Sequence, residues 1–184
     1  MNNIWFEKAF KFTFNSEGGY TTDKDDPGNW TGGRTGSGEL KGTKYGISAA
    51  AFPNEDIKNL TLERAKKLAY ENYWVLSDCD KLVNNKYPLL AIASFDASFH
   101  CGAITAKKFI QKYLRITDDG IIGPNTLKEI SKKTDLKMTI GVIFEREDYF
   151  DLIISKNGKL DKYDNGWENR LIDLIIDEVY SLFE

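Results

Sequence analysis

From Pro88 to Leu114 the chain reads PLLAIASFDASFHCGAITAKKFIQKYL. This stretch is apolar enough to predict a buried helix, broken at Gly102 and resumed through Phe109, Ile110, Tyr113 and Leu114. A buried helix has to be covered by other elements, and the sequence offers them in helical form. Residues 4 to 14 place Trp5, Ala9 and Phe12, and also Phe6, Phe10 and Phe14, at helical spacing, a wide core-facing stripe that should stop at Gly18-Gly19. The run TLERAKKLAYENYW repeats Leu62, Ala65, Leu68 and Ala69 on one face, with Lys66 and Lys67 opposite. TDDGIIGPNT predicts a turn into a helix start, with Pro124 suited to the first helical position. Two more helices are expected over about 135 to 155 and 166 to 183, separated by NGKLDKYDNG. The expected fold class is mainly α, with a small irregular or β region around residues 18–50.

At 184 residues the chain fits a single domain able to bury a core without staples. Its 41% apolar and 29% charged content is that of a soluble globular protein. A net charge of −3 gives no electrostatic reason to expect nucleic acid or an anionic membrane as partner. No apolar run approaches the ~20 residues that would span a bilayer. The N-terminal MNNIWFEKAF lacks the basic and uninterrupted apolar regions of a signal peptide, so synthesis and folding in the cytoplasm are expected. Cys79 and Cys101 belong to no C-x-x-C pair and read as reduced core thiols, with one disulfide open if the chain reaches an oxidising compartment.

Most chemistry can be set aside. One histidine, His100, excludes a His-rich metal site and reads as structural, since nothing supplies the orienting third group of a triad. No phosphate-cradling G-x-x-x-x-G-K-[ST] exists. DKDDPG opens like a calcium loop, but Pro27 occupies its fifth position and Arg34 its twelfth, where a bidentate Glu is required. No metal or cofactor is implied.

Paired carboxylates remain, in SEGGYTTDKDDPGNW. Glu17 follows an aromatic-rich helix and sits beside Tyr20, where desolvation and the negative end of the helix dipole both push a carboxyl pKa up. Gly18 and Gly19 remove bulk, so a polymer can approach. Asp26 lies nine residues on, a position for an ionised partner in glycoside hydrolysis. The residues alone leave two readings open: an acid and base pair, or a solvated acidic turn. The following GNWTGGRTGSGELKG holds six of the fifteen glycines and reads as a surface loop or irregular hairpin.

Four ordered motifs then resemble glycoside hydrolase family 108, lysozyme-like N-acetylmuramidases of phages and bacteria. They are SEGGY…DKDDPGNW…GTKYGIS, FDASFHCGAITAKKFIQKYL, DDGIIGPNTL and GWENR, and they span nearly the whole chain. The resemblance implies a lysozyme-like single domain. Residues 1–85 would form its catalytic part and 86–184 a helical part similar to the family's peptidoglycan-associated region. It places the catalytic glutamate on Glu17 and, through E-x8-D, the second carboxylate on Asp26. Unlike the family's compact pattern, this chain inserts a glycine-rich stretch carrying Arg34 and Glu39, which makes Glu39 a rival second carboxylate. Thr43 keeps the local Thr motif and is favoured over Thr31, which keeps the spacing.

Substrate contacts are expected from Tyr20, Trp30, Glu39, Tyr45 and Asp96, although helix capping or loop orientation is the preferred role for Asp96. Asp119 and Gly120 either shape their turn or touch ligand, and Trp167, Asn169 and Arg170 should anchor the last helix. The implied activity is hydrolysis of the β-1,4 bond between N-acetylmuramic acid and N-acetylglucosamine in bacterial peptidoglycan. The implied protein is an endolysin-type monomer, reaching the wall through a holin or exporter and acting in the periplasm. A lytic transglycosylase and a non-catalytic wall-binding module are the alternatives.

Overall fold

The computed structural model describes residues 3–14, 19–158 and 164–180. Glu17 and the helix end expected at Gly18-Gly19 lie outside the described residues. The elements in chain order are α1 (Ile4–Phe14), β1 (Thr43–Lys44), β2 (Ile47–Ser48), α2 (Leu62–Ala69), α3 (Cys79–Asn84), α4 (Pro88–Cys101), α5 (Ala103–Leu114), α6 (Pro124–Ile130), α7 (Asp135–Lys156) and α8 (Asp164–Tyr180). A 3-10 turn covers Pro27–Asn29 and a π-helical turn Tyr70–Trp74. The fold is mainly α. The chain forms two compact units, Phe6–Asn72 and Met1–Trp5 with Tyr73–Glu184.

In the Phe6–Asn72 unit, the aromatic stripe resolves into one dominant face. Phe6, Ala9, Phe10 and Phe14 are buried, whereas Phe12 is only half-buried. Phe10 stacks on Phe14 at 4.8 Å, and Phe6 meets Tyr70 edge-on at 5.1 Å. The α2 face formed by Ala65, Leu68 and Ala69 is buried, and Thr61 caps this helix by accepting the Arg64 N–H. Lys66 of α2 pairs with Glu7 of α1 at 2.5 Å. The helix predicted through TLERAKKLAYENYW does not continue as one form, because the backbone widens into the π-helical turn after Ala69. Strands β1 and β2 pair antiparallel with Thr43 opposite Ser48 and Lys44 opposite Ile47. Their two-residue link, Tyr45-Gly46, has φ of +50° and +74°, the left-handed pair that a tight hairpin turn demands. Gly46 is required sterically too, since a Cβ there would stand 2.5 Å from Phe14 Cδ1.

In the other unit α4 is buried continuously from Leu89 to Ser98. Pro88 opens it, and Asp135 at the start of α7 accepts the N–H groups of Leu89 and Leu90 at 2.9 and 3.0 Å. These are donors that a helix N-terminus leaves without internal partners. Gly102 breaks the chain from α4 to α5 at φ +85°, and Pro124 starts α6, both as the sequence implies. Helix α3 is an addition the periodicity did not reveal.

Both cysteines are free. Cys79 is buried and its thiol donates to the Ala91 carbonyl at 3.3 Å, so the disulfide left open by the sequence is not formed. No helix among the described residues is long and apolar enough to cross a membrane.

Candidate active site

The segment after Glu17 is held by hydrogen bonds that converge on one residue, Asn29. It is completely buried. Its carbonyl accepts the N–H groups of Lys41 and Gly42, each at 3.0 Å. Its side-chain amide donates to the Asp23 carbonyl at 2.9 Å, and its side-chain oxygen accepts the Thr43 hydroxyl at 2.7 Å. Thr43 in turn exchanges two backbone hydrogen bonds of 2.9 Å with Thr21, four residues beyond Glu17. Sequence reasoning missed Asn29, because an asparagine ending a D-P-G turn has the same appearance whether it caps locally or bridges to Thr43.

Asp26 enters this frame through its own turn. It caps the Pro27–Asn29 turn, its Oδ1 accepting the Gly28 N–H at 2.8 Å, and its side chain is exposed. Gly28 keeps that approach open, since a Cβ would lie 3.1 Å from Asp26 Oδ1. Trp30 donates its indole N–H to the Lys24 carbonyl at 2.9 Å, which pins the half-buried ring over the acidic turn. Tyr20 is 40% exposed, and its ring edge rests on Gly42, where a Cβ would come 2.8 Å from Cε2.

Structure and sequence therefore bring Asp26, Thr43, Tyr20 and Trp30 into one framework. Thr31 lies in the inserted loop instead, its hydroxyl oxygen accepting the Glu39 N–H at 2.9 Å. The Glu39 carboxylate points outward, 76% exposed, and pairs with Lys41 at 3.5 Å. Tyr45 sits in the hairpin turn with the Lys44 ammonium 5.3 Å from its ring centre. Glu17 itself lies outside the described residues.

Asp96 has a different role from either expectation. It lies in the middle of α4, so it caps no helix, and it has no exposed surface to offer a substrate. Arg146 donates to its Oδ2 at 2.6 Å, and Arg170 engages both its oxygens. Burial alone would raise the Asp96 carboxyl, but the two arginines outweigh it and hold its pKa well below the ordinary carboxylate range.

Most of the remaining candidates make contacts of their own within the protein. Asp119 accepts from Gln111 Nε2 at 2.7 Å and from its own turn at Ile121 N, while the Gly120 N–H donates to Gln111 Oε1 at 2.7 Å. Gln111 thus clamps the D-G-I-I-G turn from inside α5. Trp167 stacks on Phe150 at 4.4 Å, and with Arg170 it anchors α8, while Asn169 is exposed.

The glycosyl hydrolase 108 family profile matches residues 10–102, a span that contains Glu17, Tyr20, Asp26, Asn29, Thr43 and Asp96. The chain belongs to the glycosyl hydrolase 108 family. Its fold is similar to the structure of Brucella abortus SagA, with a TM-score of 0.73 and 26% sequence identity over 95% of this chain and 94% of that one. A search of curated protein sequences gives no match. The fold is thus of the mainly α, lysozyme-like type, and the family places the chain broadly among peptidoglycan-directed glycoside hydrolases.

Proposed function

We propose that this glycosyl hydrolase 108 member is an N-acetylmuramidase that cuts the β-1,4 bond between N-acetylmuramic acid and N-acetylglucosamine, with Glu17 as general acid. The observation that carries this reading is the family match across residues 10–102, which takes in the Glu17-Gly18-Gly19-Tyr20 motif. The Asn29 frame supports it by ordering the chain that follows that motif. Glu17 gives its proton to the glycosidic oxygen as the bond to the anomeric carbon breaks. Asp26 stabilises the positive charge that develops on the sugar, or takes a proton from the water that bonds to the anomeric carbon.

Thr43 fits a water-orienting role. Its hydroxyl proton is committed to Asn29 Oδ1, so its oxygen lone pairs are left to accept from water. Tyr20, Trp30 and Tyr45 would pack on sugar faces. Glu39, exposed beside Lys41, is the weaker choice for the second carboxylate. The biological setting we propose is endolysin-type wall degradation by a monomer, released to the periplasm by a holin or exporter.

The test is mass spectrometry of purified peptidoglycan after incubation with wild type and with Glu17→Gln. Reducing-end N-acetylmuramic acid from wild type alone is the expected result. Anhydro products would instead make the protein a lytic transglycosylase. Sacculi that bind the protein yet release no fragments would make it a wall-binding module.

A further inference from the structure

A groove of about 340 Å³ opens in the Phe6–Asn72 unit, lined by Tyr20, Leu40, Lys41 and the segment Asn54–Lys58. No motif in the sequence points to residues 54–58. The groove is joined to the family's E-G-G-Y motif through Tyr20, which closes the motif in the chain and lines the groove in the structure. Its volume is at the scale of a small-ligand site.

The polar groups around it divide into two sets. Glu55 gives both carboxylate oxygens to Arg64. Asp56 gives both of its oxygens to Asn59, at 3.3 and 2.9 Å. Lys41 donates to the Pro53 carbonyl at 2.7 Å and faces Glu39. These three are engaged within the protein. The Tyr20 hydroxyl, the Asn54 amide and the Lys58 ammonium have no hydrogen-bond partner among the described residues. Ile57, 1% exposed, adds a closed apolar wall, and the bare backbone of Gly42 leaves room for the Tyr20 ring edge.

An aromatic face, an amide able to donate and accept, and an ammonium that acts on Asp56 through its field but contacts no carboxylate among the described residues suit one chemical class. That class is an N-acetylated amino sugar whose substituent carries a carboxylate. The ring covers the apolar face of the pyranose, the amide meets the acetamido group, and the ammonium meets the carboxylate. We propose that this groove is a saccharide subsite in which Asn54 and Lys58 determine specificity for the muramic acid side of the substrate. Lys58 reads the carboxylate of the muramic acid substituent. The inference rests on the muramidase reading, and deepens it by assigning selectivity to residues outside the motif.

The test separates the two. Ligand titration followed by NMR chemical shifts would compare wild type, Lys58→Gln and Asn54→Ala. The probes are a soluble N-acetylglucosaminyl-muramyl peptide, the same disaccharide stripped of its peptide, and the uncharged chitobiose. Lys58 is exposed, so its replacement leaves the fold intact. The expected result is that Lys58→Gln weakens binding of carboxylate-bearing ligands about three- to fivefold, and of chitobiose not at all. Asn54→Ala should weaken all three.

The peptide-bearing probe holds its lactyl carboxyl as an amide, so weakening on it alone assigns a stem-peptide carboxylate. Weakening on the stripped disaccharide alone assigns the free lactyl carboxylate, and weakening on both shows that Lys58 reads whichever carboxylate the substituent carries. Unchanged binding in Lys58→Gln, or equal weakening for chitobiose, overturns the subsite. Absence of turnover by wild type in a parallel digest would overturn the muramidase reading without touching this binding result.

Discussion

Arg170 of α8 reaches Asp96 in the middle of α4, 74 positions earlier in the chain, and shares it with Arg146 of α7. Asp96 has no exposed surface and Arg146 is 2% exposed, so this is an interior ion cluster that gathers three helices. Removing the shared carboxylate strands one buried guanidinium. Breaking such a pair costs about 3–5 kcal/mol. Asp96→Ala should therefore lower Tm by about 10 °C or more in thermal unfolding followed by circular dichroism. Arg170→Ala should cost less, because the Arg170 side chain is 24% exposed and Arg146 still neutralises the carboxylate.

The same cluster sets an acid limit. The folded chain holds Asp96 below the ordinary carboxylate range, whereas an unfolded Asp titrates near about 3.9. As pH falls below about 4, the unfolded chain takes up this proton before the folded chain does, and the equilibrium moves toward unfolding. The contribution is complete at neutral pH and is lost as pH falls toward the depressed native value. Tm measured from pH 6 to pH 2 should fall more steeply for wild type than for Asp96→Asn. Parallel curves would show that other carboxylates govern acid unfolding.

Gly141 offers a test in which two effects have opposite sign. Replacing an interior helical glycine by alanine ordinarily stabilises by about 0.5–1 kcal/mol. Here a Cβ would stand 2.2 Å from the Tyr113 ring, where α7 meets α5. Overpacking a filled core costs about 1–3 kcal/mol, so the net effect should be destabilising. A lower urea midpoint for Gly141→Ala is expected, with Gly141→Ala/Tyr113→Leu recovering part of the loss.

These cases also mark where the sequence was legible. Gly102 and Pro124 are read correctly because each leaves a backbone signal that does not depend on distant residues. Helical periodicity likewise locates α7 within a residue or two of its ends. Asp96 is misread because its partners lie 50 and 74 positions away, and local pattern carries no information about them. Asn29 escapes for the same reason, since its role is fixed by Thr43. The π-helical turn after Ala69 keeps the apolar spacing of the preceding helix closely enough that periodicity cannot separate the two. The family motifs single out Asp26 and Thr43, but nothing in them reaches the groove residues Asn54 and Lys58.

The hydrogen bond from Thr43 to Asn29 gives a prediction that joins stability to activity. Thr43→Val keeps the shape and removes the hydroxyl, leaving the buried Asn29 oxygen without its 2.7 Å donor. An unsatisfied buried acceptor costs about 1–3 kcal/mol, a modest fall in Tm. On the proposed mechanism the loss in activity should be larger than that fall explains, because the water-orienting oxygen is gone as well. Release of muropeptides at a temperature well below the variant's Tm should drop by about tenfold or more. Thr43→Ser, which keeps the hydroxyl, should retain most of the activity. Equal activity for Thr43→Val and wild type at that temperature would remove Thr43 from the chemistry and leave it as a clamp on Asn29.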